Sequence, residues 1–172
     1  IWFVDRKVSA LQGKQCQAVL EASGVSEHLK RETVRCELSS EELQDIRRKA
    51  GLERHSWGEP SDYTINGLRE TLERFPCSTL AESDKLSLTL WECLHDALRE
   101  NGEGFFYGEY KWRYSHESKT ARFPASFVRL LQSAPWLLVD NELKSPSQVC
   151  FRQLPEAFQE NANHILIELL QF

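Results

Sequence analysis

Apolar residues recur every three or four positions along most of the chain, which is the pattern of helices that bury one face. The segment 39–51 begins with a capping box, Ser39 with Glu42, and predicts a helix. Residues 11–24 predict an earlier helix, and residues 83–102 predict the strongest one. The apolar stripe of the strongest helix consists of Leu86, Leu90, Leu94, Ala97 and Leu98, with Trp91 beside it.

The same spacing predicts helices over residues 62–75 and 124–135 and an amphipathic helix over residues 160–172. Residues 145–151 predict a short helix that begins with a capped proline. Residues 136–141 form a short extended apolar run and a turn. The predicted inward residues of the three longer helices are Ile65, Leu68, Leu72, Phe75, Phe127, Leu130, Leu131, Ile165, Leu166, Leu169 and Leu170.

Between residues 105 and 123 the apolar period changes to two, which is typical of a strand with one buried face. A polar turn and a second short apolar segment complete a predicted β-hairpin. An isolated hairpin is marginal in water, so its aromatic face is expected to pack on neighbouring helices. The expected fold is therefore α+β, mainly α-helical with one small antiparallel β-hairpin at about 105–123. Residues 1–172 are expected to form a single helical domain. The alternating aromatic face is Phe106, Gly108, Tyr110, Trp112 and Tyr114.

Composition narrows the class of protein. The formal net charge is −5 at pI 5.6, which argues against bulk non-specific binding of nucleic acid but leaves room for a local basic patch. The five cysteines are widely spread and form no C-x-x-C pair, which favours reduced thiols and a cytoplasmic location. No apolar run approaches the roughly 18 residues of a membrane helix. The sequence predicts neither a metal site nor a cofactor. Because it begins at Ile1, the chain is expected to be a fragment of a larger protein.

Glu109-Tyr110-Lys111 on the predicted strand matches the E-x-K half of a Mg²⁺-dependent nuclease centre. Such a centre needs an aspartate on a neighbouring strand, and Asp96 precedes the motif but lies on a predicted helix. Alternating charges on a solvated strand face produce the same pattern by chance. The chain is therefore expected not to be an enzyme, with a nuclease as the third hypothesis.

Two sets of residues are candidates for binding. Lys111, Arg113, Lys119 and Arg122 are candidate contacts to the phosphates of nucleic acid. Trp57, in the turn-rich loop of residues 53–62, and Glu109 are candidate contacts to a protein partner. A loop tryptophan folded back on the body is the alternative for Trp57. A protein partner or another domain of the parent chain is favoured over nucleic acid.

The order of several stretches resembles a known family. LSSEEL, DYTINGL, SFVRLLQSAPWL, SPSQV and LPEAFQENANHILIELLQF follow one another, with a helix containing LW and the aromatic strand between them. This order and spacing are similar to the region downstream of the ATPase domain in large sacsin-like and NO VEIN-like proteins, which carry a gyrase/histidine-kinase/MutL-type ATPase. The resemblance covers residues 19–172.

The resemblance implies that the chain is a region of an ATPase-containing protein that lies outside the ATPase domain itself. The sequence has no Asp-x-Gly-x-Gly loop and no glycine-rich phosphate lid, and the family supplies no catalytic residue for this stretch. We therefore expect a non-enzymatic structural or interaction module of a sacsin-like ATPase-containing protein. The alternative is a nucleic-acid-binding module of a DNA-defence protein that uses the basic face of the hairpin.

Overall fold

The structure is a computed structural model that describes residues 29–51, 57–114, 117–160 and 162–172. Helices and short antiparallel strand pairs alternate along this part of the chain. The helix predicted over residues 11–24 lies outside the described residues. The α-helices are α1 (Ser40–Lys49), α2 (Leu68–Arg74), α3 (Leu80–Asn101), α4 (Ser126–Ser133), α5 (Glu156–Gln159) and α6 (His164–Leu170). The strands are β1 (Arg31–Val34), β2 (Asp62–Ile65), β3 (Tyr107–Tyr114), β4 (Glu117–Pro124), β5 (Leu137–Val139) and β6 (Glu142–Lys144). Short 3-10 turns occur at Phe75–Cys77, Glu103–Phe106, Pro146–Gln148 and Phe151–Gln153.

Local capping signals fix the ends of the two best-defined helices. Ser39 and Glu42 cap α1 reciprocally, as predicted, and Thr79 and Glu82 do the same for α3. At its other end α3 stops at Gly102, whose φ of 72° lies in the left-handed region that glycine adopts without strain. The predicted boundaries of α1 and of the C-terminal end of α3 are therefore confirmed.

The core collects the apolar stripes of α3, α4 and α6. Trp91 on α3 is fully buried and meets the rings of Phe151, Phe158 and Phe172 at centroid distances of 5.7, 5.9 and 6.0 Å. Trp136 is also fully buried, and its indole N–H donates to the carbonyl of Leu131 at 2.9 Å. Large aromatic rings contribute most of the burial in such a core. Other core residues are Leu90, Leu94, Leu98, Phe106, Phe127, Val128, Leu137, Leu166, Leu169 and Leu170.

The predicted hairpin is present as β3 and β4, but the expectation of one hairpin is wrong because the described residues contain three antiparallel strand pairs. β3 pairs with β4 from Tyr107 opposite Pro124 to Tyr114 opposite Glu117. β1 pairs with β2, and β5 pairs with β6. The fold is thus mixed α and β, with more strand structure than the apolar spacing predicted.

The helix predicted over residues 62–75 is half wrong. Asp62–Ile65 is strand β2, and its pairing with β1 places Arg31 opposite Ile65. Helix α2 begins only at Leu68, after Gly67 reverses the chain with φ 77°. Ile65 and Leu68 are both buried and lie three positions apart, which is the spacing of a helical face, although the chain turns between them. Hydrogen bonding to a distant strand overrode the local pattern.

The β5–β6 hairpin was only partly predicted. Its strand β5 corresponds to the predicted extended run, and Asp140 and Asn141 form the connecting turn with φ of 55° and 63°. Two consecutive left-handed residues match the twist of paired strands, which is why Asp and Asn are common in two-residue hairpins. The sequence therefore predicted the turn at Asp140 and Asn141 but not strand β6 after it.

A second partner flanks β3 on the edge opposite β4. Ser61 and Glu109 exchange backbone hydrogen bonds of 2.8 and 2.9 Å, and the Gly58 amide donates to the carbonyl of Lys111 at 2.9 Å. Trp57 also forms a bridge to Trp112. Between the two bridges the 57–61 segment has one residue more than β3, which makes it a β-bulge. Part of the predicted surface loop is therefore built into the sheet, and β3 is held on both edges.

Among the described residues, no helix combines the length and the apolar character needed to cross a membrane.

Candidate functional site

The hairpin has two chemically different faces, which the strand register defines. Residues directly opposite each other on paired strands share a face. Glu109 lies opposite Arg122 and Lys111 lies opposite Thr120, and these four residues lie on the outer face. The inner face consists of Gly108, Tyr110, Trp112, Lys119, Ala121 and Phe123.

The outer face carries charges of both signs. The Lys111 ammonium lies 3.0 Å from the Glu109 carboxylate, and more than half of the lysine side chain is exposed. Arg122, directly across from Glu109, is exposed as well. An exposed ion pair of this kind contributes little stability, so these charges remain available to a partner. Arg113 occupies a position of β3 opposite Ser118, but its side chain lies outside the described residues.

The four predicted phosphate contacts do not share one face. Lys119 lies opposite Trp112, on the inner face, whereas Lys111 and Arg122 lie on the outer one. The sequence indicated the alternation along β3, but the register of β4 depends on the length of the turn. A shift of one residue moves every side chain of a strand to the other face.

The aromatic inner face is covered by α1 and by the 57–61 segment. Tyr110 and Trp112 are each 3% exposed. The indole of Trp57 lies on the Tyr110 ring at a centroid distance of 4.8 Å and an interplanar angle of 38°. Arg47 of α1 donates from Nε to the Tyr110 hydroxyl at 3.1 Å, and its Nη2 donates to the same oxygen. Trp57 is half-buried, so the loop tryptophan is folded back on the body.

Helix α1 adds a basic end to this side of the hairpin. None of its residues is fully buried, and its last turn contains Arg47, Arg48 and Lys49. Arg48 pairs with Asp45 at 2.8 Å, while Lys49 is exposed. Because the Arg47 guanidinium reaches Tyr110, this basic turn lies beside the inner face. The sequence did not predict this grouping, since Arg47 and Tyr110 are 63 positions apart.

A buried carboxylate joins β2 to the start of α4. Asp62 is fully buried and accepts hydrogen bonds of 2.8 Å from the Tyr63 amide, from the amide and hydroxyl of Ser126 and from Nη2 of Arg129. Burial would raise the pKa of Asp62, but the hydrogen bonds from Arg129, Ser126 and Tyr63 outweigh it and hold the pKa below its usual value. Asp62 therefore caps α4 from another part of the chain.

The placement of Asp62 bears on the E-x-K motif. Ser61 is bridged to Glu109, so the next residue, Asp62, points to the opposite face of the sheet. Its carboxylate is occupied by Arg129 and Ser126, and that of Glu109 by Lys111. Among the described residues, no group of three His, Cys, Asp or Glu side chains is placed to hold a metal ion. The structure therefore does not bring an aspartate together with Glu109 and Lys111.

A groove of about 550 Å³ lies elsewhere, between α3 and the start of α6. Its lining includes the polar residues Glu92, His95, Asp96, Arg99, Glu103 and Asn163, and Arg99 pairs with Asp96 at 2.8 Å. The His95 ring meets Trp91 edge-on at 4.7 Å, and burial lowers the pKa of the imidazole. With three carboxylates and one arginine, the lining of the groove is acidic.

The chain matches no protein-family model, no curated protein and no solved structure.

Proposed function

We propose that the chain is a non-enzymatic structural and interaction module, part of a large sacsin-like ATPase-containing protein, and that its contact surface is the β3–β4 hairpin. The observation that supports this proposal is the way the hairpin is held. β4 on one edge, the 57–61 segment on the other and α1 across the inner face fix β3 in place. A rigidly held strand pair presents charged side chains at low entropic cost to a partner.

The ionisable groups of the region favour contact over catalysis. Glu109 and Lys111 are paired at the surface, where 33% of the glutamate side chain and 54% of the lysine side chain are exposed to water. Asp62, which follows the residue bridged to Glu109, is buried and stabilises the start of α4. A cytoplasmic location fits Cys36, Cys77 and Cys150, which are free thiols.

Site-specific photo-crosslinking in the full-length protein, in its own cells, tests the contact surface. A photoreactive residue at Lys111 is expected to yield a discrete adduct with a protein or with another domain of the parent chain. The matched control is Arg69, an exposed residue of α2 on a different part of the molecule. Adducts at both positions, or at neither, would contradict the proposed surface.

A charge exchange sharpens the same experiment. Glu109→Lys combined with Lys111→Glu keeps an ion pair on the outer face but reverses its direction. The adduct formed from Arg122, the third charge of that face, is expected to weaken while the fold is unchanged. An adduct that persists at full yield would show that these charges do not select the partner.

The nuclease alternative is separated by its metal requirement. A nuclease would cleave DNA in the presence of Mg²⁺ or Mn²⁺ and lose that activity on Glu109→Ala. Metal-dependent cleavage abolished by this substitution would overturn the non-enzymatic proposal.

A further inference from the structure

The two edges of the β3–β4 hairpin differ in what covers them. On the β3 side, Ser61 and Glu109 exchange backbone hydrogen bonds, so the 57–61 segment covers this edge. On the other side, β3 is the one strand that pairs with β4 within the described part of the chain. The outer edge of β4, which runs from Glu117 to Pro124, therefore faces no described strand.

The backbone direction of β4 follows from the same bonds. In an antiparallel pair, the hydrogen-bonding groups of successive residues point alternately to the two edges of a strand. Glu109 points to Ser61, so its neighbour Tyr110 points to β4, where it lies opposite Ala121. The N–H and C=O groups at the alternate positions of β4 consequently point outward, and no described backbone group is bonded to them. These outward groups belong to Ser118, Thr120 and Arg122, and are here called the β4 edge.

The β4 edge is accessible to an added strand. Pro124, which has no N–H, ends the outward series at one end of this eight-residue strand. An exposed edge of this length is a template for pairing, and many proteins recognise an extended peptide by adding it to such an edge. The exposed residues along the edge are Ser118, Lys119, Thr120 and Arg122.

Two cations along the β4 edge define the chemistry of a matching strand. Arg122 lies on the outer face and Lys119 on the inner face, and neither forms an ion pair with a described carboxylate. Glu109, opposite Arg122, is already paired with Lys111 at 3.0 Å. The carboxylate of β4 itself is Glu117, at the first position of the strand. An added strand places a carboxylate beside each cation if its acidic residues are also three positions apart, because such residues lie on opposite faces.

We propose that the β4 edge binds an extended acidic segment of a partner protein. The segment adds antiparallel to β4, with one carboxylate beside Arg122 and a second, three positions later, beside Lys119. Antiparallel pairs are the commoner kind, and every strand pair among the described residues is antiparallel. The inference rests on the proposed function, because it names the class of partner that the hairpin receives and the way it is held.

A second copy of the chain fits the β4 edge less well. The outward groups of two copies pair symmetrically when Thr120 faces Thr120. In that register Arg122 faces Ser118 of the copy, and Lys119 faces Ala121. Neither cation gains a carboxylate, whereas an acidic segment supplies both.

The test is fluorescence anisotropy with a labelled peptide of about eight residues, made of valine and threonine with two glutamates three positions apart. The control peptide has lysines in place of both glutamates. It is expected to bind at least about 4-fold more weakly, because two favourable cross-strand pairs become unfavourable. The net charge of −5 favours the lysine peptide, so a preference for glutamate cannot be a general charge effect. Equal binding of the two peptides, or no binding of the glutamate peptide at about 1 mM, would overturn the inference.

A proline at the edge tests the backbone contact. Thr120→Pro removes an outward N–H and places the proline ring where the added strand would lie, while the hydrogen bonds to β3 are kept. Binding of the glutamate peptide is expected to fall about 10-fold or more. Thr120→Val keeps the N–H and the shape of the side chain, so it should bind as the parent protein does. Equal binding by the two variants would refute strand addition.

Charge reversal gives a reading that does not depend on the folding of the proline variant. Arg122→Glu should weaken binding of the glutamate peptide, and a peptide with lysine in place of its first glutamate should restore it. Restoration by replacing the second glutamate instead would mean a parallel partner and would contradict the proposal. No loss of binding by Arg122→Glu would contradict it as well.

The same proline variant separates this inference from the proposed function. In the full-length protein, Thr120→Pro is expected to abolish the adduct formed from Lys111. An adduct that persists would leave the interaction module standing and overturn strand addition at the β4 edge. Sedimentation velocity of the parent protein and of Thr120→Pro checks self-association. Dimerisation that Thr120→Pro abolishes would identify a second copy as the occupant and would also overturn the inference.

Discussion

The buried pair formed by Asp62 and Arg129 allows a sharp test of how burial sets the strength of an ion pair. Asp62→Asn keeps the size and shape of the side chain and removes its charge. The amide oxygen can still accept from the Ser126 and Tyr63 amides. The amide nitrogen, however, replaces the acceptor that now binds the guanidinium of Arg129 at 2.8 Å.

The expected loss in the free energy of unfolding follows from how far Asp62 and Arg129 are exposed. Breaking a buried ion pair from one side costs about 3–5 kcal/mol, because the remaining charge loses its compensation. Asp62 is fully buried, but 26% of the Arg129 side chain is exposed, so water can compensate part of the loss. We therefore expect Asp62→Asn to lower the free energy of unfolding by about 3 kcal/mol. For a chain of this size that corresponds to a melting temperature about 6–12 °C lower.

The chain contains a matched control of the same chemistry. Asp45 and Arg48 are also joined at 2.8 Å, but their side chains are 58% and 66% exposed. Asp45→Asn is expected to cost less than about 1 kcal/mol. Urea unfolding followed by tryptophan fluorescence and by circular dichroism measures both variants under identical conditions.

The pH dependence provides a second measure of the same pair. The folded-state pKa of Asp62 is lowered, so the unfolded state binds more protons between the folded and unfolded values. The stabilisation contributed by Asp62 is therefore fully present above its unfolded-state pKa of about 3.9, and it is lost as the pH falls through its folded-state pKa. Asp62→Asn removes this contribution. Equal costs for Asp62→Asn and Asp45→Asn, or an unchanged acid profile, would refute the reasoning from burial.

Three other substitutions test separate parts of the fold. Gly108→Ala places a Cβ against the Phe123 ring and 2.9 Å from the Ser61 carbonyl oxygen, so urea unfolding should show a loss of stability of about 1–3 kcal/mol. An unchanged midpoint would mean that the neighbouring atoms move aside without cost. Thr79→Ala removes the N-cap of α3 and should cost about 1 kcal/mol by thermal unfolding, with no change expected if the cap is replaced by water. Burial lowers the pKa of His95 in the folded state, so the protein is expected to lose stability as the pH falls below about 6.5. His95→Gln should flatten the plot of unfolding free energy against pH in that range. An identical slope in both proteins would contradict this expectation.

Local chemistry explains which elements the sequence predicts correctly. The capping box of Ser39 and Glu42 acts over three residues, and so does that of Ser145 and Gln148, which begins the predicted short helix as a 3-10 turn. The alternation along β3 is equally local. Such signals depend on neighbours in the sequence, so they are visible before the fold is known.

Non-local pairing explains what the sequence did not predict. β1 gains its partner from Asp62–Ile65, whose apolar residues share a helical spacing with the following helix. The position of Lys119 depends on the register of β4, and the position of Arg47 depends on how α1 crosses the hairpin. In each case a single sequence supplies the residues but not the distance between them. The alternation alone placed correctly the outer-face pair of Glu109 and Lys111 and the buried rings of Tyr110 and Trp112.

The separation in sequence between Asp62 and its partners has a consequence for the protein during synthesis. Arg129 follows Asp62 by 67 positions, so the carboxylate leaves the ribosome well before its guanidinium partner has been made. At about 5–20 residues per second, that interval lasts about 3–13 s. During this time β1 and β2 can pair, but α4 and its first turn do not yet exist. The Asp62 carboxylate at the start of β2 therefore stays hydrated until α4 has been synthesised, and the N-terminal part of the described chain cannot complete its packing before then.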